Sequence, residues 1–262
     1  MTKLLRYTIP SAAALAVATA LGLATAPAQA AAVVTYNGCA SGSFCTLAEL
    51  VDGGGSISVD EDGNGTIEKT FGNWTNYNFF KNPLTIPVTD PKNNIQVSAT
   101  GTYIPGVSGS ATLNYTVLNN ALNLAPSIAN VTWFAGISFD FDVTSAGYVP
   151  MVERKDALTS ASTTGTTANM AMFNATSIMG NQTATPTSPV TDIMPFPATT
   201  TYTAMNNLTL SARRGTTVPG TASVTSFSQT FTQVVIPEPG TVVGLLAVGG
   251  LGLAMKRRQK DS

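Results

Sequence analysis

Apolar and polar residues alternate with period two along several stretches of this chain, the pattern of strands with one buried face. The clearest stretch runs from Val131 to Thr144. There Ile137, Phe139, Phe141 and Val143 point one way, and Ser138, Asp140, Asp142 and Thr144 the other. Ile95 to Tyr103 and Ala111 to Val117 alternate as cleanly, and Pro105-Gly106 to Gly109 joins them as a hairpin-like loop. Ile57-Ser58-Val59 opens a further strand, and Thr199 to Ala212 and Ser223 to Val235 close the sheet, with Phe227, Phe231 and Val235 on one face. One short helix is predicted from Thr46 to Val51. Thr46 caps it, Glu49 follows three residues on, Leu47 and Leu50 face inward, and Gly53-Gly54-Gly55 ends it. Pro83, Pro87 and Pro91 punctuate loops. Glu153 to Asp156 reads as a charged loop or short helix, and the Thr/Ser/Pro-rich runs Ser160 to Thr167 and Thr183 to Pro197 as flexible surface loops.

The two ends follow a different pattern. Lys3 and Arg6, the apolar core Ala12 to Ala24 and the small residues Ala28-Gln29-Ala30 after Pro27 predict a secretory signal peptide over residues 1–30. Signal peptidase would cut after Ala30 and leave Ala31 first. At the other end, Pro237-Glu238-Pro239-Gly240 breaks regular structure, because each proline fixes its own φ and Glu238 is pushed away from helix. An uncharged run, Thr241 to Met255, follows. At ~1.5 Å per residue it spans roughly 22 Å, short of the ~30 Å hydrocarbon core, so length alone would suit a buried helix. Its glycines, its place near the end and the basic residues after it point instead to a short transmembrane helix. Lys256, Arg257 and Arg258, with Gln259 and Lys260 following, act as a cationic stop on the cytoplasmic side.

Ile236-Pro237-Glu238-Pro239-Gly240-Thr241, the Gly/Leu helix and the basic cluster together resemble the PEP-CTERM sorting signal of exported bacterial proteins. The resemblance implies that Pro237, Glu238 and Pro239 are read by an exosortase, a membrane protease-transpeptidase. Thr241 to Met255 would hold the substrate in the inner membrane until it is processed to the cell surface or outside. Ile236 stands where Val is more usual, a conservative departure. A weaker likeness to the opening of PEP-CTERM ectodomains runs through Cys45 to Leu50, Gly54 to Val59 and Lys69-Thr70-Phe71. The resemblance also implies an exopolysaccharide or biofilm setting. It covers about a tenth of the chain and leaves the chemistry of the rest open.

The intervening residues 31–236 are long enough to bury one core. They carry seven Lys/Arg and twelve Asp/Glu, so the exported part is acidic between basic ends, a poor surface for nucleic acid. Thr, Ser, Asn and Gly dominate its polar positions, which suits strands and turns. The fold expected is mainly β, a single antiparallel β-sandwich of jelly-roll or immunoglobulin-like arrangement, flanked by the signal helix and the transmembrane helix. Cys39 and Cys45 are the only cysteines. In an oxidising compartment they can close a small disulfide ring, for a gain of about 2–3 kcal/mol unless strain erases it.

Candidate chemistry is sparse. With no His in the chain, a catalytic Cys or a zinc site lacks its usual partner. Asp60, Asp62 and Asn64 occupy alternate positions before Gly65, the spacing of a calcium loop, with the Thr66 carbonyl and Glu68 as further ligands. Phe71 stands where the bidentate Glu of a full EF-hand belongs. The stretch is therefore either a weak calcium site or a solvated hairpin tip built from turn dipeptides. Phe71, Trp74, Tyr77, Phe79 and Phe80 are either core or a sugar-stacking platform. Asp140 and Asp142 lie two apart on one strand face, about 7 Å between carboxylates, a spacing open to a metal or acid/base pair but commoner on a solvated face. Seven Asn-x-Thr triplets (at Asn64, Asn73, Asn114, Asn130, Asn174, Asn181 and Asn207) arise readily by chance in so Thr- and Asn-rich a chain. The first expectation is a non-enzymatic structural or adhesive surface protein, the second a calcium- or carbohydrate-binding module, and a hydrolase a distant third.

Overall fold

A computed structural model describes residues 31–105, 107–146, 150–164, 170–177, 180–184, 191–216 and 220–234. The predicted signal peptide (residues 1–30), the Pro237–Pro239 tripeptide, the run 241–255 and the basic residues after it all lie outside the described residues. Among those that are described, no helix is long and apolar enough to cross a membrane.

The chain is mainly β, in two antiparallel seven-stranded sheets. The first takes, in spatial order, β1 (Val33–Asn37), β3 (Ser56–Asp60), β4 (Lys69–Asn82), β8 (Thr132–Ser145), β13 (Thr201–Arg213), β10 (Met170–Ser177) and β11 (Gly180–Ala184). The second takes β12 (Thr191–Thr199), β9 (Met151–Thr164), β14 (Thr221–Val234), β6 (Ser108–Val117), β5 (Ile95–Ile104) and β2 (Cys45–Thr46), with β7 (Asn123–Leu124) paired to β14. The one α-helix among the described residues, α1 (Leu47–Val51), has the capping box its sequence predicts: the Thr46 hydroxyl accepts from the Glu49 N–H, and Glu49 accepts from the Thr46 N–H. Leu47 and Leu50 are buried beneath it.

One core joins the sheets, because the apolar faces of their strands can leave water only against each other. Ile137, Phe139, Phe141 and Val143 of β8 are fully buried, as the alternation requires. Rings from one sheet meet rings from the other: Phe71 and Phe231 lie 5.7 Å apart between centroids, Tyr115 and Phe139 also 5.7 Å, and Tyr202 and Phe231 5.8 Å.

Strict alternation fails in β4. Phe71 and Trp74 are both buried although three residues apart. Against β8, Gly72 pairs with Asp142, Thr75 with Asp140 and Asn78 with Ser138, so β4 twice spends three residues where β8 spends two. These are β-bulges. Asn73 and Asn76 take them up with positive φ, 51° and 52°, a region Asn tolerates better than most residues.

Three segments differ from expectation. Glu153 to Asp156 is neither loop nor helix but part of β9, with Arg154 and Asp156 fully buried. Ser160 to Thr164 continues that strand, and Thr191 to Thr199 forms β12. β12 lies at a sheet edge, where Pro195 and Pro197 can sit without breaking a ladder on both sides. Thr183 and Ala184 end β11, and residues 165–167 and 185–190 of those two predicted loops fall outside the described residues.

Candidate functional site

The loop from Asp60 to Glu68 joins β3 to β4, which pair as an antiparallel hairpin from Val59 and Lys69 inward. Its geometry is set by Asp60. Oδ1 accepts from the backbone N–H groups of Gly63 (2.7 Å) and Asn64 (3.2 Å), and Oδ2 from that of Gly65 (2.8 Å). Asp62 accepts from Asn64, and the Asn64 side chain accepts from the Thr66 N–H at 2.7 Å. One carboxylate oxygen each from Asp60, Asp62 and Glu68 lies within 4.8 Å of the others. Burial raises the Glu68 pKa, opposed by a bond from the Glu61 N–H and reinforced by the negative charges of Asp62 and Asp60. These three carboxylates, the Asn64 amide and the Thr66 carbonyl are hard oxygen donors of the kind calcium takes. The loop is not a wholly solvated tip: Asn64 to Ile67 are exposed, whereas Asp60 and Glu61 are buried.

Glu61, which no sequence pattern singles out, turns inward between the sheets. Its Oε1 meets Lys69 Nζ, and its Oε2 accepts from Gln233 Nε2 at 2.9 Å. Both side chains of the ion pair are fully buried. Burial raises the Glu61 pKa and lowers that of Lys69, each opposed by the other's charge. Lys69 is the first residue of β4 and Gln233 lies near the end of β14, so the pair links the two sheets at one end. The only available signal was parity: Lys69 is two residues before the buried Phe71.

Asp140 and Asp142 do project from the outer face of β8, but they are held. Asn76 Nδ2 donates to Asp140 at 2.6 Å, and Asp142 accepts from Asn73 Nδ2 (3.0 Å) and the Thr203 hydroxyl (2.6 Å). A cavity of about 320 Å³ opens beside Asp142, lined by Gly54, Gly55, Ser56, Thr70 and Asn73 among others. Small polar side chains line it, and Asp142 supplies its carboxylate. Trp74 is no sugar platform. It is 4% exposed and stacks on Phe141 with centroids 4.4 Å apart; Phe71 is core as well, and Tyr77 and Phe79 pack half-buried against that core.

A second buried polar group crosses the core. Arg154 donates from Nε to Asp156 (3.0 Å) and from Nη2 to Asn206 (2.6 Å); Gln229 Nε2 reaches both acceptors, and the Tyr115 hydroxyl donates to Gln229. Burial raises the Asp156 pKa against the pull of Arg154. Cys39 and Cys45 are joined, with Cα atoms 5.1 Å apart.

Comparison with known proteins bears on the C-terminal end. No curated protein and no solved structure matches the chain. Residues 235–258 match the PEP-CTERM protein-sorting motif family. That motif implies an exosortase as processing partner. The chain thus carries, in its last 28 residues, the PEP-CTERM sorting motif of an exported protein.

Proposed function

We propose that this chain is a non-enzymatic exported protein of the cell surface or of an exopolysaccharide or biofilm matrix, handled through its C-terminal signal. The observation that carries the reading is the sorting motif at residues 235–258. In this reading residues 1–30 are removed by signal peptidase between Ala30 and Ala31, and residues 31–236 are the ectodomain, a β-sandwich of jelly-roll or immunoglobulin-like kind. Residues 237–262 are the sorting signal: exosortase reads Pro237, Glu238 and Pro239, residues 241–255 anchor the precursor in the inner membrane, and Lys256, Arg257 and Arg258 stay on the cytoplasmic side. A passive ectodomain is supported by what its acids do. Asp140 and Asp142 serve Asn and Thr side chains across neighbouring strands, and Asp156 serves Arg154 and Gln229. The test is the mature C-terminus, read by mass in cells with and without the exosortase. Processing at the Pro-Glu-Pro segment that disappears without the enzyme, and in a Glu238→Ala variant, supports the reading; an unprocessed chain in the cytosol ends it.

A second reading, a calcium-binding module, is favoured by the approach of Asp60, Asp62 and Glu68 to within 4.8 Å. Asn64 and the Thr66 carbonyl would complete the ligands. Calcium would cancel the mutual repulsion that helps raise the Glu68 pKa. Titration calorimetry decides it: binding heat lost in Asp60→Ala/Asp62→Ala supports calcium, and no heat from the wild type removes it.

A further inference from the structure

We propose that Glu61 and Lys69 condense into an intramolecular amide, a Lys69 Nζ–Glu61 Cδ isopeptide bond that closes the loop between β3 and β4 covalently. The proposal is independent of how the chain is sorted.

The reacting groups are fixed in place. Neither side chain has exposed surface, and Nζ is in direct contact with Oε1. The other oxygen is held by Gln233 Nε2 at 2.9 Å. Behind it runs the backbone of Gly109, so close that a Cβ there would stand 2.0 Å from Oε2. The carboxyl therefore cannot turn away from the amine. Holding two reactants in this way replaces a bimolecular encounter with an effectively unimolecular one.

Condensation needs a neutral amine and a neutral acid. One proton passing from Nζ to the Oε1 that it touches supplies both. The nitrogen lone pair then attacks Cδ. The Nζ–Cδ bond forms, the Cδ–Oε1 bond breaks, and Oε1 departs as water with its own proton and one from nitrogen. The Gln233 N–H faces the oxygen on which negative charge develops, the position of an oxyanion donor. No oxidant, reductant or cofactor enters the balance. In water such a pair stays ionised and unreacted; here both charges are buried, and the amide removes them at once.

Peptide mapping of the purified full chain, denatured with its disulfide intact, tests this. The expected wild-type result is a fragment containing residues 61 and 69 that is lighter by one water, with no cleavage by trypsin after Lys69. Lys69→Arg should restore the full fragment mass. Glu61→Gln should show loss of ammonia in place of water, since the amide nitrogen is then the leaving group. Because the wild type alone is decisive, misfolding of a variant does not obscure the answer. A folded wild-type chain whose fragment has its full mass, and whose Lys69 accepts an amine-directed label once denatured, overturns the proposal and leaves a buried ion pair.

Discussion

Asn76 Nδ2 donates to the Asp140 carboxylate at 2.6 Å across the β4–β8 ladder, from a backbone held at φ 52°. One residue thus does two jobs: its backbone absorbs the extra position of a bulge, and its side chain ties that bulge to the next strand. The two contributions can be separated. Asn76→Gly keeps the positive φ and loses the bond, whereas Asn76→Ala loses the bond and adds left-handed strain of about 1–2 kcal/mol. Asn76→Ala is therefore expected to be the less stable variant by about that amount in urea unfolding. Equal midpoints would show that φ at residue 76 is not positive in solution.

Arg154 and Asp156 lie wholly inside the protein; besides bonding each other, Arg154 donates to Asn206 and Asp156 accepts from Gln229, which in turn donates to Asn206. Removing one partner strands a buried charge, so Arg154→Met or Asp156→Leu alone should cost about 3–5 kcal/mol. Together they should cost clearly less than the sum, because Gln229 and Asn206 remain bonded to each other at 2.8 Å. A double-mutant cycle in denaturant measures the coupling. Additive costs would mean that the two side chains do not act as a pair.

The same residues mark how far the sequence could be read. Period two made β5, β6, β8, β13 and β14 legible, because one face of each is buried and the other is not. It misled at Glu153 to Asp156, since charge is ordinarily a sign of exposure and only acceptors such as Asn206 on a distant strand, together with Asp156, make burial of Arg154 tolerable. At Trp74 both readings, core and sugar platform, stay open in the sequence for a related reason. Whether an aromatic faces core or solvent depends on bulges at Asn73 and Asn76, and a bulge adds one residue without a sequence mark strong enough to set parity. The Asp60 to Glu68 loop was readable as a pattern of oxygen donors, but the inward turn of Glu61 depends on Gln233, whose position in space the local sequence does not encode.

The capping box makes a pH prediction. Glu49 has its pKa lowered chiefly by the N–H of Thr46 and next by that of Ala40, which its carboxylate accepts. A carboxyl depressed in the folded state contributes stability above its unfolded value, 4.5, and loses it as pH falls through the lower folded value. The stability difference between wild type and Glu49→Gln should therefore be largest near neutrality and shrink as pH drops below about 4.5. Thr46→Ala, which removes the other half of the cap, should cost about 1 kcal/mol. A Glu49→Gln difference that grows in acid would contradict the assignment.

Gly109 offers the last test, since it bears on the buried pair without altering either partner. It faces Glu61 Oε2, and an added Cβ would fall 2.0 Å from that oxygen and 2.8 Å from Gln233 Nε2. In an open site the carboxylate would swing aside at little cost. Here the Glu61 group, as carboxylate or as amide, is enclosed between Lys69 and Gln233, so an added Cβ overpacks a site with no room to yield. Gly109→Ala, ordinarily a mild change in a strand, is thus expected to cost about 1–3 kcal/mol, against about 0.5 kcal/mol or less for Gly42→Ala, where a Cβ meets nothing within 4 Å. Equilibrium unfolding of the two variants side by side makes the comparison. Near-equal midpoints would mean that Glu61 does not sit against β6, and the packing of this end of the two sheets would need redrawing.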